Sequence, residues 1–423
     1  GTAGPDDDQS GAGPHVNAHT NRTRWAVVAA SAALAAALTV GAGTPALATA
    51  ATAATASGIP AATARPSVLP PLDPAALRAA LAQRPAADVS AGFVRVTGSG
   101  GRFEGSSAEG GAAVDPRGRF RIGSISKVFT ATVVLQLAAE GRIDLDGSVR
   151  RYLPDLPAEF GAVTVGQLLD HTSGLPTGDN TFWGDGTTGW FAEHRLDAPT
   201  PEEIVASMAG QSLAFDPGTA QQYNGMNTFV AGLVVEKVTG HRYADELRRR
   251  IIDPLGLHDT SLPDADDPAL RRPATRPYLT VPDADGGSHR VDVTEQSPWP
   301  WAEGGMVSSA PDLDRFMTAL FRGRLLPPAQ QEELFTVPQV PVAPGNRYCP
   351  DDTACLSMGL VRLASGGVVA WGKTGSRPGS TSGVFATRDL SRTVVYSVDP
   401  TTLKGTETPY ALGLLKSAFG LGK

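Results

Sequence analysis

Apolar side chains crowd one stretch of the chain without a face to spare. Val128-Phe129, Val133-Val134-Leu135 and Leu137 occupy nearly every direction around a helix, and Gly141 stands where such a helix would stop. The pattern predicts a centrally buried helix that opens on Gly123-Ser124-Ile125-Ser126-Lys127. Alternating and β-branched positions predict strands over 92–97, 368–372, 383–388 and 393–398, the last three spaced by turn residues as in an antiparallel meander. Asp73-Pro74 reads as the cap and first position of a helix reaching Arg84, and a second terminal helix is predicted over 409–419. Residues 165–300 show little strand signal and read as helices joined by Gly/Pro/Asp-rich loops, best at 167–171, 201–209, 226–239 and 243–252. The expected fold class is α/β (α+β): an antiparallel β-sheet flanked by helices, plus an all-helical lobe. Residues 71–164 and 300–423 would form the α/β lobe and 165–299 the helical lobe, with a ligand cleft between them.

The amino-terminal stretch has a different character. Arg22 and Arg24 precede an uninterrupted apolar run over 25–43, and Ala46-Leu47-Ala48 supplies a small-x-small cleavage pattern. Residues 1–48 are therefore expected to be a signal peptide cleaved near Ala48, in preference to a membrane anchor, and the protein is expected to be secreted. Residues 49–70, rich in Ala, Thr and Pro, read as a linker that cannot bury a core. In an exported chain, Cys349 and Cys355 are expected to close a small loop as a disulfide.

Composition narrows the chemistry. A net charge of −7 argues against a nucleic-acid surface. Two cysteines rule out a four-cysteine zinc site, and His171, His194, His241, His258 and His289 show no ligand spacing, so neither a metal nor another cofactor is expected. No Gly-x-Ser-x-Gly elbow and no nucleotide loop occurs. Lysine is scarce, six in 423 residues, which gives weight to each one found in a motif.

Two of those lysines sit in such places. Ser124 and Lys127 are three apart at the start of the buried helix, so an amine would lie one turn from a hydroxyl. Burial lowers a lysine's proton affinity, which makes the pair a nucleophile with its activator, and first-turn amides are available for an oxyanion. Trp371-Gly372-Lys373-Thr374-Gly375-Ser376 ends an apolar strand. There Lys373 and Thr374 could bind a carboxylate, Gly375 would allow close backbone approach, and the Ser376 amide could be a second oxyanion donor. Lys373 would also depress Lys127 by like-charge repulsion. Phe215-Asp216-Pro217-Gly218 and Gln222-Tyr223-Asn224-Gly225 place Tyr223 on a loop where it could pass a proton.

In that order, these three motifs resemble the penicillin-recognising serine hydrolases, in particular D-alanyl-D-alanine carboxypeptidases and class C β-lactamases. Gly141-Arg142-Ile143-Asp144-Leu145-Asp146, Leu168-Leu169-Asp170-His171-Thr172-Ser173-Gly174-Leu175 and Gly304-Gly305-Met306-Val307-Ser308-Ser309 extend the likeness. The resemblance implies Ser124 as acylated nucleophile, Lys127 as its proton-handling partner, and Tyr223 as base in acylation and acid to the leaving group. It implies Lys373, Thr374 and Gly375 at the substrate carboxylate, and the Ser124 and Ser376 amides as oxyanion hole. One position departs: the family's Tyr-x-Asn asparagine is Gly225 here, and Asn224 stands one place early as a candidate substrate contact. The reading is a monomeric secreted carboxypeptidase acting on cell-wall stem peptides and acylated by β-lactams. The alternatives are a class C-like β-lactamase or esterase, and a penicillin-binding sensor without turnover.

Overall fold

The computed structural model describes residues 69–84, 88–346 and 348–421. The expected signal peptide and nearly all of the linker lie outside these residues.

Helix α1 (Pro74–Ala82) begins where Asp73 accepts hydrogen bonds from the Ala75 and Ala76 amides at 2.9 and 3.0 Å. The chain then enters β1 (Val89–Thr97) and β2 (Phe103–Ala108). Both belong to a six-stranded sheet completed from the other end of the sequence by β7 (Val361–Ser365), β8 (Val368–Arg377), β9 (Ser380–Ala386) and β10 (Thr393–Pro400). The order is β2-β1-β10-β9-β8-β7, and every neighbouring pair is antiparallel. Two shorter ladders join β3 (Arg119–Arg121) to β6 (Val307–Ser309) and β4 (Tyr278–Pro282) to β5 (Ser288–Asp292).

The period of two sorts the sheet's side chains. Phe93 and Val395 face the core around helix α2 (Ser126–Ala139), while Val94, Val96, Val394 and Val398 face α1 and the closing helix α5 (Thr408–Phe419). Because helices cover both faces, the central strands β9 and β10 are buried along their whole length. Helix α2 is buried from Ser126 to Leu135, as its all-round apolar pattern requires. Phe129 on it stacks at 3.8 Å on Phe316 of α4 (Ala310–Phe321). Directly against α2 packs α3 (Met226–Thr239).

Several expectations need correction. The hairpin of β4 and β5 lies inside the segment read as helical; Tyr278-Leu279-Thr280-Val281 alternates, but the signal is only a few residues long. The edge strands β2 and β7 also escape prediction, since an edge strand with small polar residues such as Gly105-Ser106-Ser107 carries no apolar run. Beyond Leu247 the predicted helix continues as a π-turn over Arg248–Ile252. Strand β8 runs on to Arg377, so Lys373-Thr374-Gly375 sits within a strand instead of at its end.

Candidate active site

Strand β3 leads through Ile122 into a 3₁₀ turn (Gly123–Ile125) that feeds α2, and this turn carries Ser124. Its hydroxyl is half-buried; Lys127, one turn on, is only 2 % exposed. Lys127 Nζ donates to Ser124 Oγ at 2.9 Å, to the Glu303 carbonyl at 2.9 Å and to Glu303 Oε1 at 2.5 Å. Burial pulls the amine's pKa below the ordinary lysine value, against the Glu303 carboxylate, which favours the charged form. From the opposite side Tyr223 donates its hydroxyl to Ser124 Oγ at 2.8 Å, and burial pushes that phenol well up. One hydroxyl thus meets two proton-handling groups. Of these, the amine is weakened as a cation by burial while the Glu303 carboxylate holds its charge, and the phenol is held protonated.

The facing wall is β8. Gly375 packs so tightly on the nucleophile turn that a Cβ there would lie 1.9 Å from the Ile122 carbonyl oxygen and 3.2 Å from the Ser124 nitrogen. A Cβ on Gly123 would in turn lie 2.5 Å from the Ser376 nitrogen, so the Ser124 and Ser376 amides border the same narrow seam. Lys373 is 1 % exposed, donates to Tyr348 Oη at 2.5 Å and to the Thr374 carbonyl at 3.3 Å, and is pulled down to about 8 by burial, helped by repulsion from Lys127. The expected repulsion therefore acts on Lys373; on Lys127 burial is what lowers the pKa. Tyr348 also reaches Thr374 Oγ1 at 3.3 Å and stacks on Tyr223 at 4.4 Å. It is anchored by the adjacent Cys349–Cys355 disulfide.

Asn224 is turned to another task. Its Nδ2 donates to the Leu175 and Pro176 carbonyls at 2.8 and 3.3 Å, and its Oδ1 accepts from the Met226 amide at 2.9 Å. Its amide is spent on the loop and the start of α3, which corrects its expected place among the substrate contacts. Neighbouring residues on an irregular loop point apart, and here the buried backbone took the amide. His171 supports the same loop: its Nδ1 faces the Asn224 amide at 3.3 Å and Asn227 Nδ2 at 3.1 Å. Burial and the two lysines hold its pKa well below the usual histidine value.

Residues 77–411 match the Beta-lactamase family. The chain belongs to the beta-lactamase family. Its fold, and serine hydrolases among the members, are those the motifs led one to expect. A D-stereospecific amidohydrolase from Streptomyces sp. superposes with a TM-score of 0.70 at 34 % identity, covering 82 % of this chain and 98 % of that one. The D-amino acid amidase of Ochrobactrum anthropi SV3, complexed with L-phenylalanine amide, gives 0.66 at 26 %, covering 81 % and 97 %. Penicillin-binding protein 4 of Amycolatopsis lactamdurans is 34 % identical over 215 residues, 49 % of this chain and 51 % of that protein. The chain spans about half the length of that curated relative.

Two residues of this beta-lactamase-family site escape sequence reasoning. Tyr348 gave no motif signal. Glu303 did leave a trace, being the single charged residue between Trp299 and Ser309, but nothing local ties it to Lys127. Beside Ser376 and Arg377 opens a cleft of about 680 Å³ lined by Phe182, Trp183, Trp190, Phe191 and Trp299, with Asp197 and Glu203 also at its wall. Trp301 packs edge-on against Tyr243 at 5.1 Å, and Arg362 on β7 is exposed.

Proposed function

We propose that the protein is a serine amidohydrolase that opens the amide bond of D-amino-acid derivatives with a bulky apolar side chain, through an acyl-enzyme on Ser124. The pair of contacts on Ser124 Oγ carries the reaction: 2.9 Å to Lys127 Nζ and 2.8 Å to Tyr223 Oη. With Lys127 deprotonated, so that Ser124 Oγ donates to Nζ, the serine proton passes to the amine as the Oγ–C bond forms, and the carbonyl oxygen takes its charge toward the Ser124 and Ser376 amides. Tyr223, held as a phenol, then delivers its proton to the nitrogen as the C–N bond breaks, and the proton stored on Lys127 returns to the phenolate, so that both groups are restored before water enters. Water reverses the sequence on the acyl-enzyme. This assignment moves the acylation base from Tyr223 to Lys127.

Two features support the substrate class. A cleft of about 680 Å³ walled by five aromatic rings offers far more apolar surface than an alanine methyl uses. The similarity to a D-stereospecific amidohydrolase extends over 98 % of that enzyme. Turnover of D-phenylalanine amide, L-phenylalanine amide and D-alanine amide tests the reading. A preference of at least about tenfold in kcat/KM for the D-phenyl compound is expected, since a well-filled apolar pocket adds about 1–3 kcal/mol. Equal rates for the L enantiomer, or a better D-alanine amide, would overturn it.

A second reading, a D-alanyl-D-alanine carboxypeptidase acting on stem peptides, is favoured by Lys373: a buried amine held by the phenols of Tyr348 and Tyr223 and by a carbonyl, none of which carries the charge that a substrate carboxylate would bring. Faster release of D-alanine from a stem peptide than of ammonia from the amides would select it. A stable benzylpenicillin adduct in the intact mass would place β-lactams among the acylating compounds, and rapid nitrocefin turnover would select the β-lactamase. Adduct formation with no turnover of any substrate would select the sensor. The Cys349–Cys355 disulfide supports export into an oxidising compartment. Finding full-length protein in the cytoplasmic fraction of the producing cell would refute export.

A further inference from the structure

Gly225 leaves a gap in the Tyr-x-Asn motif, and the structure shows what occupies it. The backbone does not ask for glycine there: φ is −63° and ψ is −30°, ordinary right-handed helical values open to any residue. Space does. A Cβ at position 225 would stand 3.0 Å from both Cγ and Oε1 of Glu303. The Glu303 side chain therefore presses on the space that a side chain at 225 would enter and would have to shift to admit one, and from there its carboxylate holds Lys127 Nζ at 2.5 Å.

Glu303 is also delivered to that spot by a rigid turn. Thr130 Oγ1 on α2 donates to the Ala302 carbonyl at 2.9 Å, Lys127 Nζ to the Glu303 carbonyl at 2.9 Å, and the Met306 amide donates to Ser126 Oγ at 3.2 Å. The turn starts from Trp301 at φ 47°, a left-handed conformation held by packing of its ring on Tyr243 and α3. One face of α2 thus fixes successive parts of the 302–306 segment, and the glutamate is aimed at the lysine with its side chain 11 % exposed.

We propose that Glu303 is a positioning residue for acyl transfer: its carboxylate holds the Lys127 amine against Ser124 from the place a Tyr-x-Asn asparagine would fill, and Gly225 is the residue that admits it. The two positions then form an exchange, in which a side chain at 225 and the side chain of Glu303 compete for the same space. During acylation the proton leaving Ser124 Oγ arrives on Lys127 Nζ, and the ammonium so formed faces the carboxylate. The inference rests on Ser124 and Lys127 performing the acyl transfer and is independent of the substrate class proposed above.

Glu303→Gln keeps the shape and removes the charge. An opposite charge in contact is worth about 1–3 pKa units, so the Lys127 titration should fall by about that much. With six lysines in the chain, ¹³C-lysine NMR can follow it directly, with Lys127→Ala to assign the signal. The acid limb of kcat/KM for p-nitrophenyl acetate should move to lower pH with it, a change that lost packing alone does not produce. Gly225→Asn and Glu303→Ala should each lower kcat/KM by about 10–100-fold, and the double variant should recover about tenfold over Glu303→Ala, the non-additivity expected of residues that share one space. An unmoved Lys127 titration in Glu303→Gln, or a double variant as poor as the product of the two single losses, overturns the proposal. Should wild type show no Ser124-dependent ester turnover, the acyl-transfer reading fails, and the NMR titration still decides whether Glu303 holds Lys127.

Discussion

Two buried lysines face each other across Tyr223, and they are kept differently. Lys127 sits in the wall of helix α2 with a carboxylate at 2.5 Å, and Lys373 sits in strand β8 with a neutral phenol at the same distance. Lys373 Nζ sits beside the Tyr223–Tyr348 stack, 4.6 and 4.7 Å from the two ring centroids. Both amines are depressed by loss of solvent. Only Lys127 of the two, however, has a carboxylate in direct contact among the described residues to receive its charge when it takes up a proton, which suits a group that must cycle between two states. Lys373 keeps its charge unanswered by any acid in contact among the described residues, which suits a group that waits for an anion. The same residue type, equally buried, is therefore assigned to proton transfer or to charge recognition by what touches it.

Replacing each lysine should break the pair apart most clearly. Lys127→Ala should lower kcat by about 10²–10⁴-fold with little change in KM, the range for loss of a general base, measured by pre-steady-state acylation with p-nitrophenyl acetate. Lys373→Ala should act the other way, raising KM for substrates with a free carboxylate by about 10–100-fold, since a hydrogen bond to a charged group contributes about 1.5–3 kcal/mol. It should leave uncharged esters nearly untouched. Because Lys373 is pulled down to about 8, it is cationic below that pH and neutral above it. KM for a carboxylate substrate should accordingly climb as pH rises through 8, and a flat KM between pH 6 and 9 would refute the recognition role. Tyr348→Phe removes the hydroxyl partner and should change KM only a few-fold, a loss of about 1 kcal/mol for one neutral hydrogen bond. Smallest for the chemistry is the Cys349→Ser/Cys355→Ser pair. Opening so short a loop should cost about 2 kcal/mol of stability, read by urea unfolding, while Lys373 recognition weakens only as far as Tyr348 loosens.

Much of the scaffold was readable because its cause is local. The helix at 226–239 follows from its own apolar run and the Gly240 stop, and the four predicted strands all lie within observed ones except for residues 387–388 at one end. Ser124 and Lys127 met because three residues on a helical turn must meet. Tyr223 and the Lys373 strand could be named from motif order, but their distances could not. Asn224 shows the limit of such reasoning: the residue type was right for an amide contact, yet unsatisfied carbonyls at Leu175 and Pro176 claimed it first.

The sequence by itself pointed to Ser124, Lys127, Tyr223 and Lys373 as candidates and to the helix, loop and strand that hold them, since those depend on patterns within about twenty residues, but not to Glu303 or Tyr348. Only the tertiary structure decided the protonation and partners of those side chains. Lys127 meets a carboxylate 176 positions away through the space left at Gly225, and Lys373 meets a phenol 25 positions away beside a disulfide. An amine's proton affinity depends on the solvent it has lost and the charge it touches, and both exist only once the chain is packed.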